Sequence, residues 1–279
     1  LILAIAVAGA VLIWGMSASA VNITIWDTIG SNPGVANGEN NEVEPNCDWN
    51  QRWDMEAFLF DTSTKKLQMQ GGYNMVNGEF ANGWNQTFYS GDIFIDVNGD
   101  AKWGSAINFD HSPDKNGYYV TGNAKYGWDY AIVFDRAPVG SKVPNGGSTL
   151  TGGYKVYQLS GASDVEVFFD QNNNANPFRY LKGGSEVVGK GGTVTQTSGN
   201  PAGVNGDGPH YVLGDIDLSF LAGLGTAPNL TFHFAEGCGN DLLMGQTTSF
   251  STPDGGLTVA LLGMSLAALR FASRRLRKN

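Results

Sequence analysis

The dipeptide Asn-Gly occurs seven times in this chain, at Asn37, Asn77, Asn82, Asn98, Asn116, Asn145 and Asn205, and it limits the fold more than any other feature. Each pair favours the positive backbone φ of a tight turn, so a chain punctuated this often cannot build long helices. Short β-rich runs lie between the turns, at residues 55–61, 66–70, 92–97, 102–109, 129–134, 154–159, 165–170, 193–197, 211–220 and 229–234. The interior shows no sustained 3.6-residue periodicity. The expected class is all-β, an antiparallel β-sandwich of jelly-roll or immunoglobulin-like form.

Within that frame, residues 91–109 form the clearest local unit. Ile93, Ile95 and Val97 alternate with Phe94 and Asp96, and Asn98-Gly99 is expected to close a hairpin onto Trp103 and Ile107 at the centre of one sheet. The segments 53–61 and 128–135 share a pattern of an acidic residue entering an apolar strand. Residues 31–44 and the Gly/Ser/Thr-rich stretch 183–208 read as loops, the second as a long surface excursion.

The two ends have a different character. Residues 1–16 are almost wholly apolar, and Ala18-Ser19-Ala20 supplies the small residues that signal peptidase accepts before Val21. Residues 1–20 thus read as a signal helix, incomplete at its start because it lacks an initiator Met and a basic region. At the far end Pro253-Asp254-Gly255-Gly256 precedes an apolar run, 257–269, extendable to a transmembrane helix over 257–272. Thirteen residues of helix rise ~20 Å against roughly 30 Å of hydrocarbon, so the run spans only with help from its flanks. Arg270, Arg274, Arg275, Arg277 and Lys278 form a basic stop that the positive-inside rule holds in the cytoplasm, leaving the body, 21–251, outside.

This tail resembles the C-terminal signal of bacterial exosortase substrates, the PEP-CTERM group, in its variant with a Val-Pro-Asp-Ser-Gly motif. Pro253, Asp254 and Gly256 match, followed by residues 258–263 and the arginine-rich end; Thr252 and Gly255 depart from the usual Val and Ser. The segment 230–241, ending Cys238-Gly-Asn-Asp241, is similar to the closing strand of such proteins. The resemblance implies an exported protein of the cell surface or extracellular matrix, membrane-anchored before processing. Its partners would be signal peptidase and an exosortase-like enzyme, and its role structural or adhesive.

Charge and cysteine content agree with export. Without leader and tail the chain carries 12 basic and 26 acidic residues, a net charge of −14, which opposes binding to nucleic acid and to anionic lipid surfaces. Cys47 and Cys238 are the sole cysteines, and a disulfide between them is the simplest pairing in an oxidising compartment.

Candidate chemistry is sparse. Asp96, Asn98 and Asp100 form an Asp-x-Asn-x-Asp series whose oxygens could gather around Ca2+, although an EF-hand loop would require a carboxylate where Ile107 stands. Asp48, Asp54, Glu56, Asp215 and Asp217 could complete a site if the fold brought them together. Trp84, in the polar segment 82–86, is the candidate for stacking on extracellular polysaccharide. His111, His210 and His233 are isolated, and the chain contains no nucleophile elbow, zinc motif or phosphate loop. No enzymatic role is expected. The alternative to a structural role is a surface-tethered glycan-binding module, calcium-dependent if the acidic turn holds a cation.

Overall fold

A computed structural model describes residues 20–26, 51–83, 85–103, 117–137, 148–169, 176–203, 208–223, 229–238 and 241–247. Residues 1–19 of the signal segment, residues 27–50, the sorting motif, the apolar tail and the basic stop lie outside the described residues. Among those that are described, no helix is long and apolar enough to cross a membrane.

The described chain is all-β and antiparallel. It begins with β1 (Val21–Asn22), β2 (Thr24–Trp26), β3 (Met55–Asp61), β4 (Lys66–Gly71), β5 (Glu79–Ala81), β6 (Gln86–Phe88) and β7 (Ile93–Asp96). There follow β8 (Gly117–Gly122), β9 (Tyr130–Arg136), β10 (Leu150–Gln158), β11 (Asp164–Phe169) and β12 (Pro177–Lys182). The remainder comprises β13 (Ser185–Thr193), β14 (Thr195–Ser198), β15 (Tyr211–Asp217), β16 (Leu230–Ala235) and β17 (Leu242–Thr247). Helical structure among these residues is confined to short 3-10 turns such as Gln51–Trp53 and Ser219–Gly223.

Two sheets form the bulk. The first has strand order β1-β3-β4-β15-β14 and the second β13-β10-β9-β7-β16-β17-β2. Phe58 of β3 meets Phe232 of β16 at 6.0 Å between ring centroids, so the two sheets face each other through an aromatic core. Because side chains alternate along a strand, His233 points to the opposite side, where it lies against Phe94 and Trp128 and bonds to the carbonyl of Pro177 in β12. A third sheet, β12-β11-β8, thus covers the outer face of the second, and β16 is buried along its whole length.

Both open sides between the main sheets are closed by a segment that changes sheets. On one side β1 pairs with β3 and β2 pairs with β17, the chain bending at buried Ile23. Opposite, β13 pairs with β10 and β14 with β15, joined through Val194. Such crossings tie the two sheets together along their edges. The stretch expected to be a surface excursion over 183–208 therefore contains two edge strands, β13 and β14. Their small and polar residues reflect exposure, since β13 is solvent-facing along nearly its whole length.

The hairpin expected over 91–109 is also corrected. β7 is central as expected, but its neighbours are β16 and β9 on its two edges, so residues after Asn98-Gly99 have no free edge to pair with. The chain instead leaves irregularly through Ala101 and Lys102, whose N–H donates to Tyr126 O at 2.7 Å. Trp103 is half-buried beside Trp128 at 6.5 Å.

Buried charge ties the layers together. Arg136 Nη2 lies 2.8 Å from Asp92 Oδ1, and the same carboxylate accepts N–H bonds from Phe134 in β9 and Tyr180 in β12. Arg179 pairs with Glu166 in the third sheet.

Candidate functional site

The strand registers sort the candidate residues to two opposite ends of the body. Thr231 pairs with Asp96 and with Gln246, and Asp61 pairs with Lys66, so the Asp96–Asp100 turn, the β3–β4 turn and the end of β17 share one end. At the other end lie the start of β3, the start of β15, the junction of β16 with β17 and the root of the β5–β6 hairpin.

At the first end, the acidic turn is closed by its own backbone. Asp96 Oδ1 accepts from Asn98 N (3.0 Å) and Gly99 N (2.8 Å), and Oδ2 accepts from Ala101 N (3.1 Å). Asn98 Oδ1 accepts from Asp100 N at 2.9 Å. Gly99 takes φ +85°, the conformation for which its Asn-Gly pair is suited. Asp129 joins the cluster, accepting from Val97 N (2.8 Å) and Asn98 Nδ2 (3.2 Å). Its carboxyl is pushed above the usual range by burial first, with the charges of Asp96 and Asp100 adding to the shift. Asp96 is turned inward and 2 % exposed, and its role in this geometry is to cap the turn. Among the described residues no three His, Cys, Asp or Glu side chains form a group that could hold a metal ion. Asp215 and Asp217 serve local structure: Asp215 pairs with Lys66 at 2.9 Å and Asp217 accepts from Ser219 N.

The opposite end contains a polar network in which Glu56 is central. A β-bulge between Met55 and Ala57 inserts Glu56 as an extra residue in β3, and such bulges re-aim a side chain. Glu56 Oε1 accepts from Gln51 Nε2 and lies 2.7 Å from His210 Nδ1; its Oε2 accepts from Gln70 Nε2 at 2.7 Å. Gln70 also reaches Asn200 Oδ1 (2.7 Å) and Ala202 N (2.9 Å). The network therefore clamps the loop before β15 onto the first sheet. An orienting carboxylate beside an imidazole can move a proton, yet neither side chain hydrogen-bonds to a hydroxyl or thiol among the described residues. This pairing was obscured in the sequence because Glu56 and His210 are far apart, but a glutamate inside the apolar run 55–60 was a visible signal.

Behind this network is Glu236, wholly buried at the end of β16. Its Oε2 accepts from Cys238 Sγ at 3.3 Å, and its Oε1 has no hydrogen-bond partner among the described residues. Burial pushes its carboxyl well above the usual range, the Asp241 charge adds to this, and Glu79 and Asp54 contribute in the same direction. Asp241 accepts from Met55 N and Leu242 N, so it joins β17 to β3. Cys47, the other half of the expected disulfide, is outside the described residues.

The β5–β6 hairpin pairs with neither main sheet among the described residues. Phe80 is 44 % exposed on it, and the tip residues Asn82 and Gly83 are exposed. Trp84, the residue expected to stack on sugar, is outside the described residues, as are His111, Asp48 and the sorting residues Pro253, Asp254, Gly255 and Gly256. His233 is on a sheet face as expected but entirely buried, and burial lowers its pKa to about 4.

Since the acidic turn and the hairpin root are separated by about the length of a seven-residue strand, ~23 Å, they cannot contribute to one small site. No protein-family model, no curated protein and no solved structure matches the chain.

Proposed function

We propose that this is an exported bacterial protein of the cell surface or extracellular matrix, sorted by an exosortase-like enzyme and acting in a structural or adhesive role. The observation that carries the reading is the order of Pro253-Asp254-Gly255-Gly256, apolar segment and basic stop at the end of the chain. The body would be a β-sandwich of jelly-roll or immunoglobulin-like form, a display module and not an enzyme. Pro253 fixes φ and lacks an N–H, which favours an extended segment for a processing site.

The test is a chain with a C-terminal epitope, expressed in its own cells beside a Pro253→Ala/Asp254→Ala variant. The reading expects the parent to lose the epitope and reach the surface or matrix fraction, and the variant to keep it and remain in the membrane. Identical fates for the two chains would contradict it.

A glycan-binding role is the second reading, favoured by exposed Phe80 on the hairpin that also carries Trp84 in its sequence. Retention on isolated extracellular polysaccharide that is lost in Phe80→Ala and Trp84→Ala would support it. The separation of hairpin and acidic turn means that such binding would not draw on Asp96, Asn98 and Asp100.

A further inference from the structure

Three of the Asn-Gly pairs have both residues described: Asn77-Gly78, Asn82-Gly83 and Asn98-Gly99. Besides its turn geometry, the pair has a chemistry of its own. The backbone nitrogen that follows an asparagine can attack the side-chain amide carbon, and a glycine there leaves that nitrogen unshielded by a β-carbon. The fold treats the three pairs differently.

In two of them the glycine nitrogen is already engaged. Gly78 N donates to Asn74 O at 2.8 Å, and the peptide is packed so closely that a β-carbon on Gly78 would lie 2.2 Å from Phe88 O. Gly99 N donates to Asp96 Oδ1 at 2.8 Å. The Asn98 amide is held as well, Oδ1 accepting from Asp100 N (2.9 Å) and Nδ2 donating to Asp129 Oδ1 (3.2 Å). Asn82-Gly83 is at the tip of the β5–β6 hairpin, where Asn85 N donates to Asn82 O at 3.3 Å and closes the turn. That bond uses the Asn85 N–H and leaves the Gly83 N–H idle. Neither Gly83 N nor the Asn82 side chain has a hydrogen bond among the described residues, and both residues are exposed. A β-carbon on Gly83 would meet nothing within 4 Å.

We propose that Asn82 is a site of spontaneous covalent modification, converting to aspartate or isoaspartate in the folded protein, while Asn77 and Asn98 are protected. Gly83 N gives up its proton to solvent and bonds to Asn82 Cγ. The Cγ–Nδ2 bond breaks, Nδ2 takes up a proton and leaves as ammonia, and a cyclic succinimide remains. Water then opens the ring at either carbonyl. One product carries the carboxylate on the side chain; in the other, isoaspartate, the main chain runs through the former side chain. Water enters and ammonia departs, with no change of oxidation state. The new negative charge arises two residues from exposed Phe80, so the apolar surface offered by the hairpin gains a charged neighbour as the protein ages. This chemistry requires neither a partner nor the sorting of the tail.

The test incubates the full chain, folded, in mildly alkaline buffer and follows the three asparagines by mass spectrometry of peptides released with pepsin at acid pH. A urea-unfolded sample is treated in parallel. The expected result is conversion at Asn82 several-fold faster than at Asn77 or Asn98 in the folded protein, and comparable rates at all three in urea. Gly83→Ala, which has room for its methyl group, should slow conversion at Asn82 several-fold with urea stability unchanged. Equal rates at the three sites of the folded protein, no conversion at Asn82 there, the same preference for Asn82 in urea, or an unaltered rate in Gly83→Ala would each overturn the assignment.

Discussion

Replacing Glu236 by Gln should change how stability depends on pH, with a sign set by the burial of the group. The carboxyl is fully buried, Oε1 has no partner among the described residues, and burial together with Asp241, Glu79 and Asp54 raises its pKa well above 4.5. The folded protein therefore holds a proton that the unfolded chain releases near pH 4.5. Glu236 contributes its full share below that pH, and between the unfolded and folded pKa values stability falls by about 1.4 kcal/mol per pH unit as pH rises. His233 opposes this. Its pKa drops from 6.5 unfolded to about 4 folded, so its contribution is complete above pH 6.5 and decreases by about 3 kcal/mol in all as pH falls toward 4. In the parent the two slopes offset each other between pH 4.5 and 6.5.

Glu236→Gln keeps the side-chain volume and an oxygen to accept from Cys238 while removing one slope. Its stability relative to the parent should thus increase with pH by about 1.4 kcal/mol per unit over the lower part of this range. His233→Phe should show the reverse, gaining relative to the parent as pH falls. Urea unfolding of the body at half-unit steps from pH 4.5 to 7 measures both. A Glu236→Gln curve parallel to the parent would refute the claim that this carboxyl is buried protonated.

Other substitutions probe the layers separately. Arg136→Met leaves Asp92 buried without its cation and should cost about 3–5 kcal/mol in urea unfolding; a loss below ~1 kcal/mol would contradict the buried pair. In Gly245→Ala the added Cβ would come within 2.9 Å of Phe58 Cδ2, and overpacking should cost about 1–3 kcal/mol; unchanged or higher stability would mean that the two main sheets are less closely packed there. Asp96→Ala removes the acceptor of three N–H groups and should cost about 2–3 kcal/mol, with faster amide exchange at Asn98, Gly99 and Ala101, while exposed Asp100→Ala should change stability by less than ~0.5 kcal/mol.

Much of the fold was legible because strand signals are local. Residues 55–61 were expected as a strand and are one, and β7 was expected to be central and is. What failed was long-range. Asn98-Gly99 carries the turn chemistry of a hairpin, but tertiary pairing of β7 with β9 and β16 takes both edges, and no local signal reports that. β13 was missed because a strand on an exposed edge needs no apolar face, and its glycines read as loop; β5, β6 and β12 are too short or too mixed to alternate clearly. For the sites, the Asp-x-Asn-x-Asp spacing pointed to a cation, whereas in the fold Asp96 caps its own turn. The Glu56–His210 contact joins two distant segments through a bulge, which residue spacing alone does not encode.

The central claim concerns the fate of the tail, and the most direct measurement is mass spectrometry of the C-terminal peptide of the protein recovered from its own cells. The account predicts a terminus within or next to residues 252–256, with everything from the apolar run onward removed. Recovery of an intact C-terminus at Asn279 from the surface or matrix fraction would contradict it and identify the tail as a permanent membrane anchor.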